Sequence, residues 1–226
     1  DRLNFTDDVP STALTVEAGF ALADLNTQDA DTVAGADTAS ADFSGAIALV
    51  NDLGNDGAAA VNGEVSSYGL ALRGGDLAVT SNLSSEGDVI TLHLIGGAVV
   101  GSTEAELADV GVANTVFTIE TSAAGVVTLT QSGPLDHTSP SNTVSLTGDL
   151  VALTATSSVL DGDGDTDTAS ASVDIGAQFI FTDDEPVVSA TPNGAVDETG
   201  LRALGTALTA TGDLNIALGA DSDASG

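Results

Sequence analysis

The chain has 226 residues, enough for one large domain or two modest ones. Three Lys+Arg stand against 34 Asp+Glu, and the formal charge of −31 repels nucleic acid and anionic membranes, so neither is an expected partner. Cysteine is absent, which excludes disulfides and thiolate-held metal, and no apolar run approaches the roughly 18–20 residues of a membrane helix, so direct membrane insertion is not expected.

Disorder is the first reading of an acidic chain with 3% aromatic residues, but 42% of the chain is hydrophobic and recurs in alternating runs that acidic tails lack. A folded chain whose charge is balanced by bound cations fits better.

In chain order, Phe5-Thr6-Asp7-Asp8-Val9-Pro10 opens a repeat, followed by a predicted strand at 12–17. Residues 21–36 are ambiguous, rich in Ala, Asp and Thr. Strands are predicted at 41–49 and 65–72, separated by the loop Asn51-Asp52-Leu53-Gly54-Asn55-Asp56-Gly57, which offers oxygen ligands in a loose pattern that turn chemistry also explains. Val89–Ile95, Thr115–Glu120 and Val126–Gln131 alternate with period two and are rich in β-branched residues. Gly96-Gly97 links the first of these to Ala98–Gly101, and Ala123-Ala124-Gly125 links the other two, both as hairpin turns. Glu104–Val110 suits one helical turn. Further strands are predicted at 143–147, 149–157, 168–175 and 178–182, and many short strands with Gly/Asp/Asn turns indicate an all-β protein, a β-sandwich of immunoglobulin-like or cadherin-like type.

Between the last long strands lies Asp161-Gly162-Asp163-Gly164-Asp165-Thr166-Asp167. Aspartates at every second position, with glycine to permit a tight wrap, bring Asp161, Asp163, Asp165 and Asp167 towards one point. Crowded hard oxygen ligands suit Ca2+, and they repel one another without it. The loop is not an EF-hand: Ser172 stands at the twelfth position, Thr166 replaces the glycine, and the flanks are strands.

Phe181-Thr182-Asp183-Asp184-Glu185-Pro186 repeats the opening hexapeptide at five of six positions, 176 residues later. This divides the chain into the end of a preceding repeat or linker at 1–10, one complete repeat at 11–182, and a linker with the start of the next repeat at 183–226. The pairs Asp7/Asp8 and Asp183/Asp184 thus fall at module junctions stiffened by proline, where they could share a cation with a neighbouring module's loops. Glu17 and Glu198, arriving after each junction, could complete such sites.

Catalysis has little support. His93 sits on a strand with no evident partner, and His137 lies in a loop beside Asp136 with no nucleophile elbow, no phosphate-binding glycine loop and no zinc-ligand spacing in the chain. The chain is read as not an enzyme.

The run Leu150-Val151-Ala152-Leu153-Thr154-Ala155-Thr156…Asp161-Gly162-Asp163-Gly164-Asp165-Thr166…Val173-Asp174-Ile175-Gly176, then Phe181-Thr182-Asp183-Asp184 with Pro186, resembles the repeat unit of giant RTX-type bacterial adhesins exported by type I secretion. Val196-Asp197-Glu198-Thr199 is similar to a "VDET" box of those repeats, and Val16-Glu17-Ala18-Gly19 to a degraded copy. Gly97–Leu129 is similar to the family's core strands. The likeness covers about 85–200, and the chain departs from the pattern by inserting Ser157-Ser158-Val159-Leu160, which lengthens the hairpin. The resemblance implies a secreted, cell-surface extender module of an adhesin or biofilm matrix protein, stiffened by calcium at Asp161, Asp163, Asp165, Asp183 and Asp184, with neighbouring repeats as partners. Two other readings are a self-assembling fibre subunit that exchanges strands with copies of itself, and a calcium-dependent module that binds surface glycans, for which Tyr68 is the one candidate aromatic platform.

Overall fold

The computed structural model describes Leu3, residues 7–138 and 141–184, and the backbone of two short strands, Val187–Val188 and Ile216–Ala217, which pair antiparallel. Glu198, its Val196–Thr199 box and the Glu185-Pro186 end of the second hexapeptide lie outside the described residues.

The described chain is almost entirely β. Its strands are β1 (Ser11–Val16), β2 (Leu25–Gln28), β3 (Asp37–Asp42), β4 (Ile47–Asp52), β5 (Glu64–Leu72), β6 (Ala78–Ser85), β7 (Asp88–Ile95), β8 (Ala98–Ser102), β9 (Thr115–Thr121), β10 (Val126–Gln131), β11 (Thr143–Ser145), β12 (Val151–Leu160), β13 (Thr166–Asp174) and β14 (Phe179–Thr182). A single helical turn, α1 (Asp29–Thr32), follows β2. The largest sheet has six strands in the order β3-β10-β9-β8-β7-β6; β13-β12-β5 and β11-β14-β2 form three-stranded sheets, and β1 pairs with β4. All pairings in these sheets are antiparallel except β14 with β2, which run parallel.

Alternation explains the layers. Ile90, Leu92, Val99, Phe117, Ile119, Val127 and Leu129 point from the six-stranded sheet into one core, where they meet Leu70, Leu72, Val151 and Leu153 from the opposing strands and Leu25, Phe179 and Phe181 from the small sheet. This is the sandwich-like arrangement expected of strands each buried on one face. The ring of Phe117 packs 5.0 Å from that of Phe181, and Gly101 leaves room for it: a Cβ there would lie 2.5 Å from the Phe117 ring.

The elements differ from the sequence reading most at three places. The single strand expected at 41–49 is two: β3 ends at Asp42, whose Oδ1 accepts the Ser44 N–H at 2.8 Å, Phe43 turns fully inward, and a short 3-10 turn at Ser44–Ala46 precedes β4. The ambiguous stretch at 21–36 contains β2 and α1. β6 was not expected, because two of its inward positions carry Ser81 and Ser85 rather than apolar residues, and its register against β7 shifts between Thr80 and Ser84.

The hairpin that carries the aspartate run is long and regular. β12 and β13 pair from Ala152↔Asp174 to Leu160↔Thr166, so Ser157–Leu160 is absorbed into the ladder, and residues 157–159 also pair with β5. What remains as loop is Asp161–Asp165, and Asp161 forms an isolated bridge with Ala58.

A candidate metal centre

Asp161 is the anchor of the loop. It is 1% exposed, and its Oδ1 accepts the backbone N–H groups of Gly164 at 3.0 Å and Asp165 at 2.7 Å. Its backbone N–H in turn donates to Asp165 O at 3.0 Å. Gly164 closes this turn at φ +112°, a conformation that side chains disfavour. Asp161 Oδ2 is buried and meets no N–H or hydroxyl donor; the protonated carboxyl of Asp163 donates to the Asp161 carboxylate.

Two other segments converge on the same point. A carboxylate oxygen from each of Asp56, Asp161 and Asp163 lies within 4.8 Å of the others; the same holds for Asp7, Asp163 and Asp165, and for Asp7, Asp8 and Asp56. Six carboxylates from three stretches of chain therefore share overlapping groups. The approach depends on glycines. A Cβ on Gly162 would lie 2.6 Å from Asp56 O, and one on Gly54, at φ +65°, would lie 2.5 Å from Asp8 Oδ2. Asp8 is held there by the Asn55 N–H at 2.6 Å and the Asn55 side-chain amide at 3.1 Å.

The charges respond to this crowding. Asp163 is pushed up to about 6, chiefly because it shares a proton with the Asp161 carboxylate, with burial and the negative charges of Asp161, Asp7 and Asp56 adding to it. Burial works to raise Asp161 as well. The hydrogen bonds from the Asp163 carboxyl and from the backbone of Asp165, Gly164 and Asp163 win, and it lies below the ordinary carboxylate value. Asp56 is raised by burial first, then by Asp8 and Asp7. In physical terms, the cluster lacks positive charge and takes a proton in its place.

The remaining candidates are placed elsewhere. Asp167 lies on β13, where Oδ2 accepts the Thr12 N–H at 2.9 Å and Oδ1 the Thr168 N–H at 2.8 Å, so it docks β1 onto the hairpin. Glu17 is exposed at the end of β1, and its backbone pairs with Ala46 and Phe20. Asp183 and Asp184 follow β14; Asp183 lies near His137, and Asp184 is 8% exposed. Tyr68 is partly buried and donates its hydroxyl to Ser44 O at 2.9 Å. Asp56 was legible only as part of a loose oxygen-rich loop, since nothing in sequence ties residue 56 to residue 161.

Fold and site together define an all-β, sandwich-like domain with a carboxylate cluster suited to a hard cation. The chain belongs to a domain family of unknown function, DUF5801, whose model matches residues 22–176. No curated protein and no solved structure is significantly similar to it.

Proposed function

We propose that this chain is a calcium-stabilised structural repeat, an extender module of a secreted bacterial surface adhesin of the RTX type. The observation that supports this most directly is the meeting of Asp7 and Asp8, from the segment ahead of the first strand, with Asp56 and the Asp161–Asp165 loop. A junction segment and two loops of the module body supply hard oxygen donors to one place. Asp161 Oδ2 is buried with no N–H or hydroxyl donor, which fits a cation in the cluster. Ca2+ held there would neutralise the cluster and fix the junction against the body, turning a flexible connection into a stiff one. By the 176-residue offset, Asp183 and Asp184 would serve the next module as Asp7 and Asp8 serve this one. Neighbouring repeats are then the partners, and the role is mechanical and not enzymatic.

Thermal melting with calcium and with EDTA tests the reading. The midpoint is expected to rise with calcium, and the rise to be largely lost in an Asp161→Asn/Asp163→Asn double variant. A midpoint that calcium leaves unchanged would remove the proposal.

A further inference from the structure

β1 buries little of its own surface. Of its six residues only Thr12 is buried; Leu14 is partly buried against Ala46, Ile47 and Ala155, and Val16 is 46% exposed. Its backbone pairs with β4 from Ser11↔Asp52 to Val16↔Ile47, and among the described residues β4 has no other strand partner. The two form a ribbon laid against β12 and β13, and a two-stranded ribbon is marginal without further support.

That support is polar and sits at the start of the strand. The Thr12 N–H donates to Asp167 Oδ2 at 2.9 Å, and the Thr12 hydroxyl lies 2.7 Å from Asn51 Oδ1 and 2.9 Å from Ser157 Oγ. Two of these partners lie on strands that run directly into the carboxylate cluster. β4 ends at Asp52, whose Oδ1 accepts the Gly54 N–H at 3.0 Å and turns the chain towards Asn55 and Asp56. β13 begins at Thr166, directly after Asp165. Ahead of β1, only Val9 and the buried Pro10 separate Asp8 from Ser11, and the proline ring fixes one backbone angle of that link. An ion gathering Asp7, Asp8, Asp56 and the Asp161–Asp165 loop therefore ties down the leading end of β1 and both strands that flank it.

We infer that β1 is a calcium-locked strand: ion binding at the cluster and docking of β1 against β4 and β13 form one coupled equilibrium. The inference rests on the calcium reading and extends it from the connecting segment to the first strand of the body. When β1 lifts away it draws Asp7 and Asp8 out of the cluster, so the ion loses two of its ligands. Without the ion, the charges of Asp7 and Asp8 meet those of Asp56 and the loop and oppose docking. Each event thus favours the other by the same factor. Removal of calcium releases this edge first, as a local opening, while the six-stranded sheet and its core stay closed.

Amide hydrogen exchange of the full chain in EDTA and in calcium, beside a calorimetric calcium titration, tests the coupling. Exchange across Ser11–Val16 is expected to slow about tenfold or more between EDTA and calcium at about a hundred times Kd. Exchange across β3, the edge of the six-stranded sheet, is expected to change less than about threefold, because its opening leaves the cluster intact. In the Asp161→Asn/Asp163→Asn variant the calcium effect on Ser11–Val16 should vanish. Calcium bound by calorimetry with exchange of Ser11–Val16 unchanged, or slowed no more than that of β3, would overturn the inference and leave the calcium reading standing. Slowing retained in the double variant would place the coupled ion elsewhere and overturn it as well. No calcium bound by the parent would remove both.

Discussion

Asp161 concentrates the chemistry of the carboxylate cluster in one side chain. One oxygen accepts from the backbone of Gly164 and Asp165, and the other is buried with no N–H or hydroxyl donor. Replacing it by asparagine keeps the first role and supplies a donor for the second. Asp161→Asn is therefore expected to raise the melting point in EDTA and to lower the increment from calcium, so that the two melting curves approach each other.

The pH dependence follows from Asp163. Its folded value of about 6 lies above the ordinary aspartate value of about 3.9, so protonation favours the folded state. That contribution is complete below about pH 4 and is lost as pH rises through about 6. Without calcium, the Asp163 contribution should make the protein less stable at pH 7 than at pH 5. Calcium must displace the same proton, so its apparent affinity should fall on acidification below about pH 6. Melting curves and calcium titrations at pH 5, 6 and 7 check both trends, and Asp163→Asn should flatten them.

The elements of the fold were readable where alternation is unbroken. β7, β9 and β10 carry β-branched residues at period two, and the Gly96-Gly97 and Gly125 turns are marked by their positive φ values of 60°, 91° and 87°. β6 was not readable because Ser81 takes an inward position and satisfies its hydroxyl on Ile90 O at 2.7 Å, a hydrogen bond that only the folded sheet provides. The break at Phe43 was hidden for a similar reason: the Phe43 N–H pairs with Gly125 O, 82 positions away in the chain.

The same limit applies to the sites. Composition and spacing exposed the aspartate run but not that Asp56 and Asp7 join it, nor that Asp167 leaves it for Thr12. Long-range convergence leaves no local pattern. Gly162 is the element-scale test, since its missing side chain is what admits the backbone of Asp56. Gly162→Ala should cost about 1–3 kcal/mol in urea unfolding by overpacking. It should also weaken calcium binding, although it removes no ligand. A variant equal to the parent in both would show that the loops do not pack as described.

At the scale of the molecule, a chain with 34 acidic residues and three basic ones is tolerable in a folded state if cations collect where carboxylates crowd. Asp8→Ala, in the segment before β1, should weaken calcium binding by the body loops, because Asp7, Asp8 and Asp56 share one group. It should change the calcium-free melting point by less than Asp161→Asn does, since Asp8 is partly exposed and Asp161 is buried. If the chain is the repeat proposed above, the 176-residue offset between the two hexapeptides would set this cluster once per unit along an array, where stiffness would accumulate.

The most direct measurement is a calorimetric calcium titration of the parent chain beside Asp7→Ala/Asp8→Ala and Asp161→Asn/Asp163→Asn. Saturable binding by the parent, weakened at least tenfold in both double variants, is expected if junction and loop hold one ion together. Binding that survives either double variant unchanged, or no binding by the parent at millimolar calcium, would contradict the shared site.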